Sequence, residues 1–117
     1  MNVVDILKYG QQTVHNTLKD FPEAEWYTAG ACGVWSAKEI IAHLASYEHM
    51  LVEVLSTFLD GGPTPYMEKM GTIGPGEFND DEVALRHEKS MADVLAELNA
   101  ALQQFKIGIL TGCQELT

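Results

Sequence analysis

GVWSAKEIIAHLASYEHMLVEVLSTFL, residues 33–59, reads as one amphipathic helix with a marked beginning and a marked end. Ser36 and Glu39 have the spacing of a capping box, in which the hydroxyl accepts from a first-turn amide and the carboxylate reaches back to the cap. Trp35 stands just before the cap, placed to staple onto Ile40. Beyond it Ile40, Ile41, Leu44, Leu51, Val52, Leu55 and Leu59 recur at the spacing of a single helix face. Gly61, Gly62 and Pro63 stop the run. At about 100° per residue Glu48 falls in the middle of that apolar arc, where a carboxylate needs a partner or a proton. His43 falls on the shoulder of the arc, in line with Tyr47, Met50 and Val54, and His49 points to the solvated side. The plain reading of His43 is a boundary histidine bonded to a neighbouring helix.

On the N-terminal side, residues 2–20 form a first helix, capped by Asn2 with Asp5 in the first turn. Val3, Leu7, Val14, Leu18 and Phe21 make its stripe, and His15 lies at the edge. Pro22 ends it. On the C-terminal side, residues 61–78 carry Pro63, Pro65, Pro75 and five glycines, and read as a long loop. Tyr66, Met67 and Met70 are apolar enough to fold over a pocket mouth; a mobile connection is the plainer reading. A third helix spans 79–110, starting at Asn79 and stopping at Gly112, with a stripe from Val83 through Met91, Leu98 and Phe105 to Ile109. His87 sits in the middle of that stripe. The fold expected is an all-α antiparallel helical bundle in one domain, residues 1–117, with helices near 2–20, 36–60 and 79–110.

A net charge of −10 over 117 residues disfavours nucleic acid, whose phosphates require a basic face, and anionic membrane surfaces. The start of the chain has neither a basic segment nor a long apolar run, and no stretch has the length of a membrane span, so the expected location is cytoplasmic. Cys32 and Cys113 lack metal-type spacing and read as free thiols. Cys32 lies near a helix start, which favours a thiolate, but no paired base is visible beside it.

The run Gly33-Val-Trp-Ser-Ala-Lys-Glu-Ile-Ile-Ala-His-Leu-Ala-Ser-Tyr-Glu48 resembles the signature helix of the DinB-like family. Trp-Ser-x-Lys-Glu at its start and Ala-His-Leu-Ala at its centre are the most specific marks, and the segment from Trp26 to Gly33 fits the approach to that helix. The family comprises helical bundles, among them YfiT-type metal-dependent hydrolases, thiol-dependent transferases and DfsB/ClbS-type proteins. The resemblance implies a metal site with one histidine on the central helix, a position that His43 matches, and two further ligands on a fourth long helix. No counterpart of that helix is found by residue 117, so it is expected to be missing or supplied by a partner chain.

The function expected first is therefore binding of a small-molecule ligand in a pocket between bundle helices, with His43, Glu48, His87, Tyr47 and Trp35 as pocket residues. The alternatives are a metal-dependent hydrolase or thiol transferase, with a divalent zinc or nickel ion on His43, and a self-association or partner-binding module. A homodimer is the expected assembly, because a bundle with three long helices leaves an apolar groove.

Overall fold

A computed structural model describes the backbone of residues 3–31, 33–59 and 61–116, and the side chains of 9–10, 12–31, 33–59 and 61–109. The expected roles of Asn2 as a cap and Cys32 as a thiolate lie outside the described residues. The chain is all-α: α1 (Val3–Lys19), a 3-10 turn (Glu23–Glu25), α2 (Ala37–Leu59), α3 (Pro65–Ile73), α4 (Pro75–Leu85) and α5 (Met91–Leu116). There is no strand among the described residues, and α1, α2 and α5 are the three long helices.

The capping box forms as its spacing requires: the Ser36 amide donates to Glu39 Oε1 at 3.1 Å and the Glu39 amide to Ser36 Oγ at 3.2 Å. Two expectations need correction. The stretch 61–78 is not a loop, because Pro65 and Pro75 each begin a short helix, a position where the missing amide hydrogen costs nothing. Gly74 separates the two at φ 82°, ψ 165°, a conformation open to glycine. Nor is 79–110 one helix. The chain turns at residues 86–90, and Ser90 opens α5 by accepting the Asp93 amide on its Oγ at 3.1 Å. Asn79 consequently lies inside α4 rather than at a cap, and α5 runs on past Gly112.

The core forms where α2 meets α5, the most extensive helix contact in the fold. Ile41, Ala42 and Ala45 pack there on Met91, Val94 and Leu98, and Val14 and Leu18 of α1 and Trp26 close over them. Ala45 and Ser46 are fully buried, whereas Leu44 and Leu51 remain 38% and 46% exposed. The buried face of α2 is thus turned away from the one that its large residues mark. Small side chains at 42, 45 and 46 let the α5 backbone approach and leave the seam densely packed. The same closeness recurs lower down, where a Cβ on Gly108 would stand 2.5 Å from Leu55 Cδ2. Residues 38, 49 and 55 of α2 meet 87, 97 and 108 in that order, so α2 and α5 run in the same direction. The α3–α4 pair carries the chain back between them.

α3 is fastened to α2 by Glu53, which is buried and accepts the Tyr66 amide on Oε2 at 2.9 Å and the Met67 amide on Oε1 at 2.8 Å. It supplies the negative group that a helix start favours and that Thr64 does not provide. α4 is seated by Phe78, fully buried and edge-on to the Tyr47 ring at 5.8 Å.

A cleft at the start of the central helix

The start of α2 faces the turn between α4 and α5, and the capping box holds its first residues in place. The Lys38 amide donates to the Trp26 carbonyl at 3.0 Å, tying the preceding segment down. The Lys38 side chain is buried; its Nζ donates to the His87 carbonyl at 2.7 Å and lies 5.6 Å from the centre of the Tyr27 ring. Tyr27 in turn accepts the Met91 amide on its hydroxyl oxygen at 3.2 Å. Two hollows open here. One, of about 500 Å³, is bounded by Tyr27, Ser36, Lys38 and the 86–90 turn. The other, of about 480 Å³, is bounded by Trp35, Asp80 and Ala84. Glu39, Val83, His87 and Glu88 line both, so the two form one bent cleft.

Trp35 and His87 line this cleft together. His87 is exposed and lies on the turn, a correction to its place in a core stripe that follows from the break in the helix. His43 stands beside Trp35, with ring centres 5.0 Å apart, and Tyr47 follows at 4.6 Å. The Tyr47 hydroxyl donates to Asn79 Oδ1 at 2.7 Å, joining α2 to α4. Burial pushes the His43 imidazole below its ordinary pKa, and its Nδ1 is buried without a hydrogen-bond partner. Glu48 lies on the Leu44–Leu51 side of α2 and lines neither hollow; burial raises its pKa, and His49 partly offsets this. His43, Glu48 and His87 are therefore not gathered into one constellation, and His15 is exposed on α1.

The metal implied by the resemblance does not fit these residues. Among the described residues no three His, Cys, Asp or Glu groups are arranged to hold an ion. His43 is packed among aromatic rings instead, and no step through a metal follows.

His49 is not the solvated residue that its place on the helix suggests. It bonds Glu97 Oε2 at 2.8 Å and stacks on Tyr66, ring centres 5.0 Å apart. Glu97 also takes Arg86 on both oxygens, with Nη2 at 2.7 Å from Oε2, and Lys89 at 3.2 Å. Arg86 is buried and donates further to Glu82 and Tyr66. Burial alone would raise the Glu97 carboxyl, but the bonds from Arg86 and His49 hold it down to about 2. Burial opposes the Arg86 charge, and the bonds to Glu97 outweigh it. Lys69 completes the network with Asp81 and Glu82, both of which raise its pKa. The smaller hollow of about 260 Å³ beside Tyr66 is walled by cations already engaged in these pairs.

A second kind of surface lies between α1 and α2. A groove of about 300 Å³ is walled by Val14, Leu18, Phe21, Ile40 and Leu44 and is almost wholly apolar. Leu51 and Phe58 continue the Leu44 line at seven-residue intervals, Phe58 at 80% exposed.

A model of the DinB superfamily matches residues 6–106. The chain belongs to the DinB superfamily. The all-helical fold of this DinB-superfamily chain agrees with that match, and the run from Gly33 to Glu48 lies within the matched span. A search of curated proteins and one of solved structures each found no match. Among the described residues of this superfamily member, no helix is long and apolar enough to cross a membrane.

Proposed function

We propose that the chain binds a small organic molecule in the bent cleft between α2, α4 and the 86–90 turn. The observation that supports this reading is the convergence there of one aromatic wall, Trp35, with polar groups from three elements around two adjoining hollows. The expected pocket residues divide accordingly. Trp35 meets the ligand, His43 stands against its ring with Tyr47 behind His43, His87 stands at the rim, and Glu48 serves the opposite face. A fragment screen read on the Trp35 indole signal by NMR tests this. Hits should perturb Trp35 and His87 together, and Trp35→Ala should weaken them while the helical circular dichroism is kept. Hits that map only to the α1–α2 groove, or none at all, would remove the reading.

Self-association is a second reading, favoured by the groove beside the Leu44–Leu51–Phe58 ridge. A groove and a ridge on one helix are what an isologous contact between two copies uses. Sedimentation velocity should then show a dimer that Phe58→Asp converts to monomer; a wild-type monomer at high concentration rejects it.

A further inference from the structure

Lys38 is 7% exposed, and no carboxylate pairs with it among the described residues. Its ammonium has three hydrogens and spends one on the His87 carbonyl, with the Tyr27 ring beside it. A buried cation left with two open donors calls for an anion. Two more donors line the same hollow. The Tyr27 oxygen already accepts from Met91, which leaves its own hydrogen to give. Ser36 Oγ likewise accepts from Glu39 and keeps its hydrogen. These residues come from three places in the chain: the segment before α2, its cap, and its first turn.

We propose that the larger hollow receives the carboxylate of a small organic acid, with Lys38 as the charged donor and Tyr27 and Ser36 as neutral ones. This rests on the small-molecule reading above and names the ligand's chemical class. One lysine and two hydroxyls offer three donors to a single carboxylate, and of the two acidic side chains on the walls Glu39 already accepts the Ser36 amide. A phosphate dianion would need more positive charge than Lys38 brings, since Arg86 and Lys89 are held by Glu97 while Glu39 and Glu88 line the same walls. The body of the acid extends along the shared wall toward Trp35, where an apolar or aromatic group finds a flat partner.

The test compares three acids with their neutral amides, butyrate, benzoate and indole-3-acetate, and adds inorganic phosphate, each titrated into the ¹⁵N-labelled full chain. The acids should bind about tenfold or more tightly than their amides, as charged hydrogen bonds require. They should also shift the amides of Tyr27, Ser36, Lys38 and Met91. Lys38→Met should erase the difference between acid and amide. Equal affinity for acid and amide in the wild type overturns the proposal without any variant, so a poorly folding Lys38→Met does not rescue it. A folded Lys38→Met that still prefers acids overturns it too, as does a preference for phosphate. Amides that bind as well as acids and still move Trp35 would leave the cleft reading standing. Failure of every probe to bind would remove both.

Discussion

Arg86 and Glu97 show how much one residue pair can carry in a chain of this size. Removing the arginine leaves a carboxylate half-sunk between α2 and α5 with only His49 and Lys89 near it. Arg86→Met should therefore cost about 3 kcal/mol in urea unfolding, as loss of one partner of a buried pair does. The pH dependence follows from Glu97, whose folded pKa of about 2 lies below its ordinary 4.5. Its contribution is complete above 4.5 and is lost as pH falls from there toward 2. Glu97→Gln should flatten the acid limb of a melting-temperature profile in that window; an unchanged limb would mean the pair is not made. Glu48 has the opposite sign. Its pKa is raised by burial, so the charged form costs stability at neutral pH, and the cost shrinks as pH falls through the folded pKa and is gone below the ordinary 4.5. Glu48→Gln should raise the melting temperature at pH 7 and lose that advantage in acid.

Among the elements, the start of α2 was legible because a capping box is a local chemical device: both partners lie within one turn. The buried face of α2 was not. Hydropathy weights Leu44 and Leu51 heavily and Ala42, Ala45 and Ser46 lightly, while packing against α5 rewards small residues that let two backbones close up. The charged residues of the site were hidden for a related reason. Nothing in the spacing of Lys38, Glu53 or Arg86 shows that each is buried, since the partners His87, Tyr66 and Glu97 lie 11 to 49 residues away. A local signal for the α4–α5 turn did exist, in Ser90 followed by Asp93, and the apolar stripe running across it masked it. The hinge inside the 61–78 stretch turns on Gly74 alone. Gly74→Ala should cost about 1–3 kcal/mol, the range for side chains forced into that region, and the loss should show in thermal unfolding.

At the scale of the whole molecule, two kinds of adhesion hold the helices. α2, α5 and α1 share the apolar core, whereas α3 and α4, tied to each other by Lys69, join it through Glu53, Tyr47 and Arg86, with Phe78 and Val83 as their buried apolar anchors. The charged part of that attachment, Arg86 with Glu97, weakens as salt rises, though less than a fully exposed pair would because Arg86 is buried, and an apolar core is not screened at all. The molecule should therefore open in two stages. Amide exchange in 65–85 should quicken between low and high ionic strength, while amides of α2 and α5 around Ala45 and Val94 keep their protection. Equal salt response in both regions would show one cooperative unit. If the arm does come away first, Glu39 and Lys38 stay with the core while Asp80 and Val83 leave with the arm, so the cleft has one fixed wall and one hinged wall. A molecule held across that seam would act as a latch, and its affinity would be read as slowed exchange in α4.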